Sequence, residues 1–114
     1  MKVLLVEDEA LVRMMAAETL EDAGFEIIEA ATGEEALEAW KTHRADVLFT
    51  DIRLPGELSG WDVAEHCRAQ HPDLPVIYAT GYSEAAPRRV SGSAFFRKPY
   101  RPAEIVKTIL TLTR

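Results

Sequence analysis

Val47-Leu48-Phe49-Thr50-Asp51, followed at once by Ile52-Arg53-Leu54-Pro55-Gly56, is the stretch on which the fold turns. Apolar residues lead up to a single carboxylate, and a Pro-Gly turn then takes the chain away. A short apolar run of this kind suits a strand buried on both faces, as in a parallel sheet. In an open α/β sheet, ligands bind beyond the carboxyl ends of the strands. Asp51 therefore stands where a reacting group would stand.

The flanking sequence repeats the pattern. Residues 2–6 form another short apolar run, ended by Glu7-Asp8-Glu9. Leu11, Met14, Met15, Ala16, Thr19, Leu20 and Ala23 then recur at helical spacing, and Gly24 supplies a stop. Phe25–Ala30 reads as a second strand. Thr32 and Glu35 carry a capping-box pattern that opens a helix with Ala36, Leu37 and Trp40 on one face. After the strand at 46–50, Ser59 and Asp62 repeat that logic for a helix running to about His71. Strands are expected at 76–80 and 93–96, and Pro102 fits the first turn of a last helix.

Alternation of this kind predicts an α/β domain over residues 1–114, a doubly wound parallel sheet with helices on both faces. Residues 81–93 break the pattern, because Gly81, Pro87, Ser91, Gly92 and Ser93 crowd the place of a helix. Proline inside a helix costs about 3 kcal/mol and glycine about 1 kcal/mol relative to alanine. Small alanines and Val90 offer little burial in return, so a short, frayed or mobile fourth helix is expected there.

Composition narrows the classes. Thirteen basic and nineteen acidic residues leave a net charge of −6, which argues against direct contact with nucleic acid. One cysteine, Cys67, rules out an internal disulfide and suits a reducing cytosol. The apolar N-terminal run is too short for a signal peptide or a membrane span. A soluble cytoplasmic domain is the expectation.

The polar residues at strand ends carry the chemistry. Glu7 and Asp8 follow the first strand, Asp51 the third, Thr80 the fourth and Lys98 the fifth. A parallel sheet brings those ends to one edge. Carboxylates at close range resist ionising together, and a hard divalent cation such as Mg²⁺ removes the conflict. A carboxylate can also act as a nucleophile and form an aspartyl phosphate, with an ammonium and a hydroxyl nearby to bind phosphoryl oxygens.

With Val6-Glu7-Asp8-Glu9, Thr50-Asp51 and Pro55, Ala79-Thr80-Gly81, and Arg97-Lys98-Pro99 in this order, the chain resembles the receiver domain of bacterial two-component response regulators. The resemblance runs from Met1 to Arg114 and implies a flavodoxin-like five-stranded sheet of order 2-1-3-4-5. It implies that Asp51 accepts a phosphoryl group from a sensor histidine kinase or a histidine phosphotransfer protein. Asp8, Asp51 and the backbone carbonyl of Arg53 would ligate Mg²⁺, with Glu7 assisting. Thr80 and Lys98 would hold phosphoryl oxygens, Thr80 and Phe95 would be switch residues, and the Lys98–Pro99 bond would be cis. The surface around residues 80–98 would then control a downstream protein partner, with no nucleic acid or membrane contacted directly. The chain would be a monomer or a phosphorylation-dependent dimer. Ending on its last helix, it reads as a stand-alone regulator or as a receiver taken from a hybrid kinase or larger regulator.

The chain also departs from the family pattern. Leu54 replaces a usual methionine, Gly60 comes one residue late, and the segment from Thr80 to Lys98 is short. Tyr78-Ala79-Thr80-Gly81 resembles a subgroup named for Phe-Ala-Thr-Gly, whose fourth helix is reduced, with Tyr78 in place of the phenylalanine. A hydrolytic phosphotransferase would carry a second acid two residues after the nucleophile, where Arg53 stands, and a pure docking module would need no such site. Trp40, Trp61, Met14 and Met15 read as packing. His43, His66 and His71 lack metal-ligand spacing. Arg88 and Arg89 read as a solvated patch.

Overall fold

The computed structural model describes residues 1–81 and 88–114. Its elements run β1 (Lys2–Val6), α1 (Ala10–Asp22), β2 (Glu26–Ala30), α2 (Gly33–His43), β3 (Val47–Asp51), α3 (Gly60–Gln70), β4 (Val76–Thr80), β5 (Ala94–Arg97) and α4 (Pro102–Leu112). The strands form one parallel sheet in the order β2-β1-β3-β4-β5. This is the expected topology, and each strand lies within a residue of its expected position.

Period-two alternation along the strands sorts the core onto two faces. Leu4, Val6, Leu48, Val76 and Tyr78 meet Ala36 and Trp40 of α2 and Val63, Ala64 and Cys67 of α3. Val3, Leu5, Val47, Phe49 and Ile77 meet Ala16, Ala17 and Leu20 of α1 and Ile105 and Ile109 of α4. Helix pairs α2–α3 and α1–α4 therefore cover opposite faces. The indole N–H of Trp40 donates to Gln70 Oε1 at 3.0 Å, which ties α2 to α3 through a buried ring.

Local signals set the helix ends. Ser59 and Asp62 form a complete capping box at the start of α3. At α2 the Thr32 hydroxyl accepts from Glu35 N at 3.0 Å, but the Glu35 carboxylate reaches back one residue further than expected, to Ala31 N at 3.1 Å. Gly24 ends α1 with a φ of +98°, a conformation that costs glycine little.

One expectation needs correction. Met14 and Met15, read as packing, are 51% and 53% exposed. The buried stripe of α1 is Ala16, Ala17 and Leu20, and 14 and 15 fall on the other side of the helix. Small alanines let α1 lie close to the sheet, so bulk was the wrong guide to its inner face. The fourth helix expected within 81–93 falls in part on residues 82–87, outside those described. Arg88–Ser93 take turns and irregular conformations without a helix.

Candidate functional site

Sheet order makes the site. β1 and β3 are neighbours, so their last residues deliver Glu7, Asp8 and Asp51 to one point on the carboxyl edge. Carboxylate oxygens of these three lie within 4.8 Å of one another. Glu7 and Asp51 are buried, at 2% and 8% exposure, while Asp8 faces solvent. Lys98, just past β5, reaches across β4 to both buried acids. Its Nζ lies 2.5 Å from Glu7 Oε1 and 2.9 Å from Asp51 Oδ2.

The backbone around these groups is fixed. Glu7 N donates to Ala30 O at 3.0 Å, and the Glu7 carbonyl accepts from Arg13 Nη1 at 2.7 Å. The Thr50 hydroxyl donates to the Asp51 carbonyl at 2.8 Å. A Cβ built on Gly60 would sit 2.1 Å from that same carbonyl oxygen, so only glycine lets α3 start against the end of β3. The following loop is tied to α2, since Glu57 N donates to Glu34 Oε2 at 3.1 Å.

The other expected residues take their places around this point. Thr80 ends β4, buried at 1% exposure, and its carbonyl accepts from Lys98 N at 2.8 Å. Lys98–Pro99 is cis, as the resemblance implied. Arg53 is exposed and lines a cleft of about 370 Å³ with Asp8, Glu9, Asp51, Gly81 and Lys98. Phe95 lies further back, half-buried on β5 opposite Tyr78. Arg13, Glu34 and the Tyr78 hydroxyl were not singled out. Their partners are six or more residues away in sequence, and no spacing rule signals such contacts.

Burial pushes the Asp51 carboxyl above its usual range, and the Lys98 ammonium offsets only part of that. Glu7 shifts the same way, first from burial and then from the neighbouring Asp51 charge. For Lys98, burial alone would lower the ammonium, but hydrogen bonds to Glu7 and Asp51 outweigh it and push the group up. Lys98 stays charged, and three carboxylates face one ammonium. Carboxylates in excess of the ammonium, with oxygen donors only, fit a hard divalent cation.

The fold and this edge define a doubly wound α/β domain with an acidic, cation-ready site at its topological switch. The chain belongs to the response regulator receiver domain family, whose model matches residues 3–110. It is 35% identical over 113 residues to the sensor kinase CckA of Brucella abortus, a match covering 94% of this chain and 12% of that protein. A receiver protein from Sinorhizobium medicae superposes with a TM-score of 0.90 at 33% identity, covering 97% of this chain and 92% of that one. The receiver domain of the hybrid histidine kinase CckA gives a TM-score of 0.84 at 30% identity, covering 100% of both chains. The chain spans about half the length of the curated transcriptional regulators it matches. It is a receiver domain of two-component systems, a signalling class rather than a conventional enzyme, and receivers of this class interact with histidine kinases or phosphotransfer proteins. Among the described residues, no helix is long and apolar enough to cross a membrane.

Proposed function

We propose that residues 1–114 act as one phosphoacceptor module in a phosphorelay, with Asp51 as the acceptor. The observation that carries this reading is the Lys98 ammonium shared between Asp51 and Glu7 inside the acid cluster. A carboxylate nucleophile, a cation for phosphoryl oxygens and hard oxygen donors meet there. In the transfer, an Asp51 oxygen attacks phosphorus in line with the leaving nitrogen of a phosphohistidine. The O–P bond forms as the N–P bond breaks, and the imidazole leaves with the bonding pair and takes up a proton. Lys98 then holds one phosphoryl oxygen and the Thr80 hydroxyl another.

Glu7, Asp8, Asp51 and the Arg53 carbonyl would hold Mg²⁺, which when bound neutralises charge on the phosphoryl oxygens. The donor is a sensor histidine kinase or a histidine phosphotransfer protein. Chemistry is limited to phosphorylation of Asp51 and slow loss of that phosphate, in the cytoplasm. The surface around residues 80–98, Phe95 included, presents the change to a downstream protein.

Mass spectrometry after incubation with Mg²⁺ and acetyl phosphate, or a phosphorylated donor protein, tests the reading. One phosphoryl adduct is expected on the wild type and none on Asp51→Asn. Equal labelling of the two proteins, or no labelling of the wild type by either donor, overturns it.

A further inference from the structure

Tyr78 is fully buried on β4, yet it carries a hydroxyl. That hydroxyl accepts a hydrogen bond from Val90 N at 3.1 Å, so a core side chain holds the backbone of the segment that leads into β5. Its ring packs on Trp61 of α3, with centroids 4.8 Å apart, and faces Phe95 across the β4–β5 pairing. Tyr78 and Thr80 are two residues apart on one strand and share a face. One side chain therefore links the phosphate-facing end of β4, the first turn of α3 and the 88–91 backbone.

Other contacts hold the same segment from α3. Arg68 Nη2 donates to Ser91 O at 2.8 Å while its Nε donates to Leu74 O at 2.7 Å. Arg88 donates to Asp62 at 2.9 Å and to Glu65 at 2.7 Å. The Arg88 ion pairs are largely exposed, where such pairs contribute little, and the Arg68 bond to Ser91 O is exposed as well. The Tyr78 contact is part-buried, between a fully buried ring and half-buried Val90, where leaving an N–H without a partner costs more than at the surface. Burial pushes the hydroxyl above its ordinary range, so it keeps its proton at neutral pH.

We propose that the Tyr78 hydroxyl is a positioning group that fixes the 88–91 backbone to β4 and carries displacements at Thr80 into that segment. The transmission rests on the phosphoacceptor reading of Asp51; the tether itself does not. Tyr78→Phe removes the hydroxyl and keeps the ring against Trp61, and amide hydrogen exchange followed by NMR reads the result. Without ligand, Val90 N–H should exchange about tenfold faster in Tyr78→Phe, with β4 amides unchanged. Arg68→Gln should leave the Val90 rate within about threefold of wild type. An unchanged Val90 rate in Tyr78→Phe, or an equal acceleration by Arg68→Gln, overturns the tether.

The transmission is read on loading with Mg²⁺ and beryllofluoride, a phosphoryl mimic. The Asp51 and Thr80 amides should shift alike in the wild type and in Tyr78→Phe, while shifts at 88–91 fall at least by half in the variant. Equal shifts at 88–91 in both proteins, or none there in a wild type that loads at Asp51, overturn the transmission. A wild type with no response at Asp51 overturns the phosphoacceptor reading, and the Val90 rate still decides the tether.

Discussion

Lys98 is the single ammonium between two buried carboxylates, and its removal leaves charge without a partner in the interior. Breaking such an arrangement from one side costs about 3–5 kcal/mol, so Lys98→Ala should be destabilised on that scale in urea titrations at neutral pH. The pH dependence follows from the direction of the acid shifts. Glu7 and Asp51 hold their protons to higher pH in the folded chain than in the unfolded one. Their contribution to stability is therefore fully present below the ordinary carboxylate range and lost as pH rises through their raised folded values. The Lys98→Ala penalty should shrink as pH falls into that window; a penalty constant from neutral pH to pH 4 would count against the account. At this scale the acids and the lysine were legible in the sequence because each stands within two residues of the end of an apolar run. The Tyr78 hydroxyl was not, because on the strand pattern it is one more aromatic core residue.

Helix α3 bears directly on the site, since its first residue abuts Asp51. Its capping box should contribute about 1 kcal/mol, so Ser59→Ala should lower Tm by about 4 °C in calorimetry. Asp62 belongs to the same box, and hydrogen bonds from Ser59 and then Arg88 hold its carboxyl below the usual range. That contribution is present above the ordinary carboxylate range and lost as pH falls through the lowered folded value. Asp62→Asn should accordingly flatten the acid limb of the stability curve and change little at alkaline pH. On α1 the exposed pair at 14 and 15 should tolerate polar replacement, with Met14→Gln and Met15→Gln each within about 0.5 kcal/mol of wild type by denaturant titration. A larger loss would mean the pair is packed after all. Helix ends were readable because caps are local chemistry. The inner face of α1 was not, since alanines and methionines both satisfy the periodicity and only the distance to the sheet selects between them.

For the whole molecule, strand order does the assembling, bringing acids from residues 7, 8 and 51 to one edge beside Lys98. A cation that binds only this folded arrangement stabilises it by mass action, by about 2.7 kcal/mol at a concentration 100 times Kd. Adding Mg²⁺ should raise Tm in the wild type, and a chelator should reverse it. Asp8→Asn should abolish most of the rise. An equal rise in that variant would point to binding elsewhere on an acidic surface. Topology was legible because strand and helix patterns alternate without interruption, except at 81–93, where Gly, Pro and Ser remove the helical signal and leave no other in its place.

The abutment of Gly60 on the Asp51 carbonyl has a mechanical side. With no side chain to cushion the contact, the start of α3 bears directly on the Asp51 backbone. If Asp51 is the phosphoacceptor proposed above, a partner that binds α3 more tightly in the phosphorylated form will favour that form, and by reciprocity phosphorylation will tighten the partner's binding by the same factor.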